Sequence, residues 1–126
     1  MSGQLCLDHM TLHVADVARA IAFYRAALAP LDITVAMEAP GGVAVGFGCA
    51  GKPSLWIAPG GPTQPPLHVA FRAADHAAVD RFHAAAIAAG GTDNGPPGVR
   101  AHYRPDYYAA FVRDPEGHNI EAVCRD

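Results

Sequence analysis

Three residues far apart in the chain could together hold a divalent metal: His9, His68 and Glu121. Two imidazoles and a carboxylate are a recurrent ligand set for such ions. Neutral imidazole suits Fe, Ni, Zn and Co. The carboxylate adds negative charge, and a three-ligand set leaves positions open for water or substrate. Spacing alone would be a weak signal, because any two strand histidines could coincide. An internal repeat strengthens it. Residues 9–16 read HMTLHVAD and residues 68–75 read HVAFRAAD. Each segment opens on a histidine and closes on an aspartate, Asp16 or Asp75. Phe23 and Phe82 then follow at matching distances, as do Leu28 and Ile87. One common offset relates every pair, so the two histidines occupy equivalent places in a duplicated unit.

The elements that must position these residues follow from periodicity. Residues 5–14 alternate, with Met10, Leu12 and Val14 on one face and His9, Thr11 and His13 on the other. That pattern predicts a half-buried strand. Asp16 offers a helix N-cap, and Val17, Ala20, Ile21, Tyr24 and Leu28 keep helical spacing until Pro30. Short β-type runs follow at Ile33–Met37, Val43–Gly48 and Ser54–Ala58, separated by Gly/Pro turns. Residues 59–66 (PGGPTQPP) read as a linker. The plan then repeats: a strand over 67–73, a helix capped by Asp75 and ended by Gly90-Gly91, and final strands near 107–113 and 118–124. A turn at Asp114-Pro115-Glu116-Gly117 joins those last two. The Gly/Pro-rich segment around Asn94–Gly98 reads as a loop. With its neighbours, in about 93–106, it accounts for the greater length of the second unit and would overhang a cavity.

The expected fold is therefore α+β. Two βαβββ modules in one chain, about 5–58 and about 67–124, make one domain over 1–126. They form a cup-shaped mixed sheet with the helices outside. If Ile120 packs toward a helix, Glu121 points the opposite way, into the concavity. His13 and Arg72 each lie four residues past a proposed ligand and should share its face. Arg72 could bind an anionic or carbonyl oxygen of a substrate, or form a salt bridge at the rim. Trp56 could be a pocket wall or a core residue. Tyr107 and Tyr108 should point opposite ways, and Tyr108 is assigned to the pocket. His76, His83 and His118 read as solvated, and His102 and Arg104 as surface loop.

Composition narrows the function. The chain has 126 residues, 51% apolar and 17% charged, with a net charge of −3. It is long enough for a real core and too weakly charged for disorder. The absence of a basic run argues against nucleic acid as a partner. No apolar stretch is long enough to span a membrane. The first ten residues lack a signal-peptide pattern. Cys6, Cys49 and Cys124 leave one thiol unmatched in any disulfide scheme, which fits a cytoplasmic protein.

The segments 8–24 (DHMTLHVADVARAIAFY), 67–75 (LHVAFRAAD) and 111–123 (FVRDPEGHNIEAV) resemble the vicinal oxygen chelate superfamily. That group includes glyoxalase I, bleomycin-resistance proteins and extradiol dioxygenases. The last segment matches the family's D-P-x-G-x-x-x-E ending. The resemblance implies one divalent ion (Fe, Ni, Zn, Mn or Co) on His9, His68 and Glu121, with Glu121 also as the catalytic base. It implies a small-molecule substrate contacted by His13, Ser54, Trp56, Arg72 and Tyr108, and a homodimer. Ser54 stands where glyoxalase I has a glutamate, and His13 where that enzyme typically has an arginine. Both departures argue against glutathione-adduct isomerisation and toward a lyase, dioxygenase or other isomerase. The alternative is a metal-free binding protein of the bleomycin-resistance type.

Overall fold

The computed structural model describes residues 6–125; residue 5, the expected start of the first strand, lies outside them. Strand β1 is Met10–Val14, helix α1 Val17–Leu28, and β2, β3 and β4 are Thr34–Glu38, Val45–Cys49 and Lys52–Pro59. After the linker come β5 (His68–Arg72), α2 (His76–Ala88), β6 (Thr92–Val99), β7 (Tyr108–Arg113) and β8 (Asn119–Cys124). The two expected βαβββ modules are present. Each holds one four-stranded sheet, in the orders β1-β4-β3-β2 and β5-β8-β7-β6. In both, the first strand runs parallel to the last, and the remaining pairs are antiparallel.

Local chemistry sets the element ends. The Asp16 side chain accepts from the Arg19 N–H and that of Asp75 from the Ala78 N–H, so each repeated aspartate caps its helix. Pro30 falls in a short 3-10 turn, Ala29–Leu31, that closes α1. In the Asp114–Gly117 turn, the Gly117 N–H donates to the Asp114 carbonyl at 2.9 Å.

Sequence expectations about the elements need correction at three places. The first strand begins at Met10, so His9 stands just before it. Residues 92–99 form a strand, not a loop. Thr92–Val99 pairs only with β7, and its register slips at Gly95 and again before Gly98. An edge position with bulges tolerates Pro96 and Pro97, because neither missing N–H is needed by a second neighbour. The overhanging segment is therefore only 100–107. His118 is fully buried, and its Nδ1 accepts the Leu67 N–H at 2.9 Å, which ties the turn before β8 to the entry of β5.

One apolar core joins the modules. It contains Leu12, Val14, Phe23, Leu28 and Ile57 from the first, with Val79, Phe82, Val112, Ile120 and Ala122 from the second. Helices α1 and α2 pack against each other within it. The Asp114–Gly117 turn also crosses the seam. Glu116 accepts the Ala15 and Asp16 N–H groups at 2.8–3.0 Å, just ahead of α1. Asp114 accepts the Tyr24 hydroxyl at 2.5 Å. Each sheet thus turns one face to the shared core and keeps a second face for other use.

Candidate functional site

Strand alternation decides what lies on the open face of the second sheet. Val69 pairs with Ile120, and both face the core side; Ala70 pairs with Glu121 on the other side. His68 and Arg72 share that side of β5, and Glu121 and Val123 share it on β8. Phe111 stands opposite Glu121 on β7, and Tyr107 continues the same face into the segment before that strand. Ala109, Phe111 and Val123 form a small apolar cluster there, with Tyr107 packed against it.

Glu121 is the unusual member. Its side chain is only 2% exposed, whereas that of His68 is 53% exposed. A buried carboxylate is costly unless it is paired and hydrogen-bonded. Here Oε1 lies 2.8 Å from His68 Nε2, and Oε2 accepts the Tyr107 hydroxyl. Burial, then the hydrogen bond to Glu121 and its charge, pushes the Tyr107 phenol up to about 12, so it stays a donor at neutral pH. His68, Glu121 and Tyr107 line a cleft of about 570 Å³, with His102, Tyr103 and Arg104 from the 100–107 segment and Arg125 at its edge. Tyr103 meets Tyr107 edge-on at 4.9 Å, and the Arg125 guanidinium lies 5.5 Å from the Tyr107 ring centre. Arg104 is paired with Asp106 at 3.1 Å, so the cleft is aromatic around a buried acid, with Arg125 as the other cation at its edge.

The first sheet has a matching open face with different chemistry. Leu55 and Ile57 face the core, which turns Ser54 and Trp56 outward beside Thr11. Trp56 is half-buried on this face, not in the core, and covers Gly46 of the neighbouring β3. A Cβ at Gly46 would come 3.0 Å from the indole and 2.8 Å from Pro53, so only glycine leaves room. His13 is exposed there, and its Nδ1 donates to the Pro59 carbonyl at 2.9 Å, leaving Nε2 available. Ser54 is exposed, and its hydroxyl has only a 3.5 Å contact to the Phe47 carbonyl. His9 is exposed and bonds to its neighbour Asp8 at 2.7 Å, which holds the Asp8 carboxyl below its usual range.

The structure therefore brings His68 and Glu121 together and adds Tyr107. It does not bring His9 to them. Among the described residues, no three His, Cys, Asp or Glu side chains converge as a metal cluster. The reason is topological: His9 precedes the edge strand of one sheet, while His68 and Glu121 belong to the other. Arg72 lies on the His68 face, exposed. The Tyr108 assignment is corrected. Tyr108 pairs with Cys124 on the core side, donates to Asp80 of α2 at 2.7 Å and stacks on His76 at 3.9 Å. Tyr107 is the tyrosine of the site. Alternation had required that only one of the pair face the cleft; the register to Cys124 decides which. His83, read as solvated, is instead mostly covered and bonded to Asp93 at 2.8 Å.

The pair supplies an imidazole nitrogen and a carboxylate oxygen, donor types that divalent ions take, but at 2.8 Å they are hydrogen-bonded to each other. A second concavity, about 540 Å³, runs along α1 past Ala18, Ile21 and Arg25 and carries no comparable donor set.

The paired βαβββ modules and the histidine–glutamate pair on the second sheet's open face define the class. The sequence matches the Glyoxalase/Bleomycin resistance protein/Dioxygenase superfamily over residues 6–122, and the chain belongs to that family. Among solved structures it is similar to a glyoxalase/bleomycin resistance protein from Albidiferax ferrireducens T118. That match has 29% identity and a TM-score of 0.76, covering 94% of this chain and 98% of the other. A family enzyme from Burkholderia phytofirmans PsJN shares the fold at 19% identity and a TM-score of 0.72, covering 95% and 98%. So does a lactoylglutathione lyase from Agrobacterium tumefaciens, at 21% identity and 0.66, covering 98% and 96%. Among curated proteins no match is found. Members of the superfamily commonly bind a divalent metal and small-molecule substrates, and often form dimers. No helix among the described residues is long and apolar enough to cross a membrane.

Proposed function

We propose that this chain is a cytoplasmic, metal-dependent enzyme acting on a small oxygen-rich substrate as a lyase, isomerase or dioxygenase. The observation that carries this reading is the buried Glu121 with His68 Nε2 2.8 Å from its Oε1, at the bottom of an open cleft. His68 and Glu121 would hold one divalent ion (Fe, Ni, Zn, Mn or Co) with His9 as third ligand. When bound, the ion would act as a Lewis acid toward two adjacent substrate oxygens. His9 would come from a second copy, because within one chain it precedes the edge strand of the other sheet and does not reach the pair. The homodimer would then place a first-module face, with His9, His13, Ser54 and Trp56, over a second-module face. Arg72 and the cationic rim of the cleft would attract an anionic or carbonyl-bearing substrate. Glu121 is the one carboxylate of the set, so it would be both ligand and proton acceptor. Ser54, opposite, supplies no second base.

Metal analysis of chelator-free protein tests this directly. His68→Ala should abolish stoichiometric metal; unchanged metal content would refute the assignment. His9→Ala should do the same. In a mixed dimer of His9→Ala and His68→Ala chains, one site regains both histidines if the site spans two copies. Metal should return at one ion per heterodimer. A site within one chain would regain none.

A second reading has its own support. His68 and Glu121 already satisfy each other, and the cleft wall is built of Tyr103 and Tyr107. These features suit a metal-free protein that binds an aromatic small molecule. Ligand binding indifferent to chelators and to His9→Ala would favour it.

A further inference from the structure

We propose that Tyr107 is a positioning residue that makes Glu121 a one-oxygen metal ligand. The proposal rests on the metal-site reading and deepens it. The two oxygens of Glu121 are not equivalent: Oε1 faces His68 Nε2 at 2.8 Å, and Oε2 accepts the Tyr107 hydroxyl. A carboxylate can bind an ion through one oxygen or two. With Oε2 tied to the phenol, Oε1 is the oxygen left beside His68 Nε2 and would be the one to meet an ion. A bound ion would then take one oxygen from Glu121 and leave room for a substrate oxygen.

The phenol is fixed well enough to do this. The Tyr107 carbonyl accepts the Arg100 N–H at 2.7 Å, and the Tyr107 N–H donates to the Arg104 carbonyl at 3.2 Å. The ring is held edge-on to Tyr103 at 4.9 Å and packs against the Ala109–Phe111–Val123 cluster. None of those contacts needs the hydroxyl, whose partner in the fold is Glu121. Hydrogen bonds to a metal ligand tune affinity by fixing its orientation, and their loss typically weakens metal binding about 10–100-fold.

The test is titration of Co(II) into full-length apoprotein, read by Co(II) visible absorption and by competition with a chelator. Tyr107→Phe keeps the ring and removes only the hydroxyl. Its Co(II) Kd should rise about 10–100-fold, and its visible bands should change as the second carboxylate oxygen enters the coordination sphere. The thermal midpoint of the apoprotein should stay near wild type. Tyr108→Phe is the control, because its hydroxyl bonds to Asp80 on the α2 side; its Kd should match wild type. Equal Kd and spectrum in Tyr107→Phe and wild type would overturn the proposal while leaving the metal reading intact. Equal weakening in both tyrosine variants would also overturn it, by showing a general loss of order. A wild-type protein that binds no Co(II) would overturn the metal reading and this proposal with it.

Discussion

Tyr24→Phe isolates the polar bond that crosses the module seam. The substitution removes one oxygen and leaves the ring volume unchanged, so no packing term confuses the result. Tyr24 is fully buried, and its hydroxyl donates to Asp114 Oδ2 at 2.5 Å. The other Asp114 oxygen accepts the Glu116 and His118 N–H groups, each at 2.9 Å. In the variant, Oδ2 of a buried carboxyl loses this donor. Hydrogen bonds to charged groups contribute about 1.5–3 kcal/mol, so a loss of about 2 kcal/mol is expected. At ~2.1 cal/mol/K of unfolding entropy per residue, that corresponds to a drop of roughly 7 °C in Tm.

The pH dependence provides an independent check. Burial, then the charge of Asp114 and the bond to it, holds the Tyr24 phenol well above its ordinary value. The unfolded chain releases that proton near pH 10. The stabilisation is therefore complete below about pH 10 and declines as pH rises toward the folded-state value. Urea unfolding followed by circular dichroism at about pH 8 and about pH 11 should show the gap between wild type and variant narrowing by up to ~1.4 kcal/mol. A gap below about 0.5 kcal/mol at the lower pH would refute the hydrogen-bond argument. A gap that stays constant to the higher pH would refute the titration argument.

Gly46→Ala should cost about 1–3 kcal/mol by overpacking, because the new methyl meets the Trp56 indole and Pro53. The emission of this single tryptophan should shift as the ring is pushed off the sheet. Glu116→Ala removes the acceptor of the Ala15 and Asp16 N–H groups. It should cost about 1 kcal/mol by urea unfolding without altering Co(II) affinity. The metal content of His68→Ala and the Co(II) affinity of Tyr107→Phe, set out above, test the site itself.

The fold was largely legible because periodicity and capping are local. The aspartate caps, the buried Ala20, Tyr24 and Leu28 of α1, the buried Val79, Phe82 and Ala86 of α2 and the alternation of β1, β5 and β8 follow from residue order and are present; Ile87, which shares the α2 periodicity, is exposed instead. What escaped was set by distant partners. Strand β6 reads as a loop because its Pro and Gly residues are poor strand formers, yet an edge position beside β7 asks little of them. His118 reads as a turn residue because its neighbours are polar, but it is buried and bonded to the distant entry of β5. Tyr107 and Tyr108 are adjacent and chemically alike; only the pairing of Tyr108 with Cys124 separates their roles. His9 and His68 are equivalent in the repeat, but sequence equivalence does not fix how two sheets face each other.

That last point bears on how a duplicated module becomes a working site. Each module turns its apolar strand face and its helix inward, because neither could bury enough surface alone. The price is that both histidine-bearing faces look away from the shared core. The two open faces have meanwhile become different. The second holds a buried acid, a phenol tied to one of its oxygens, and a cationic rim. The first offers His13, Ser54 and a tryptophan lying on a glycine, with no carboxylate at the equivalent place. Two identical faces brought together would supply duplicate groups, whereas these supply complementary ones. The imidazole, the buried acid and the phenol sit on the second sheet, and an apolar wall with neutral donors sits on the first. A closed contact between copies would pair each first face with a second face. The replacement that speaks against glyoxalase I, Ser54 for a glutamate, also makes such a pairing asymmetric within each site.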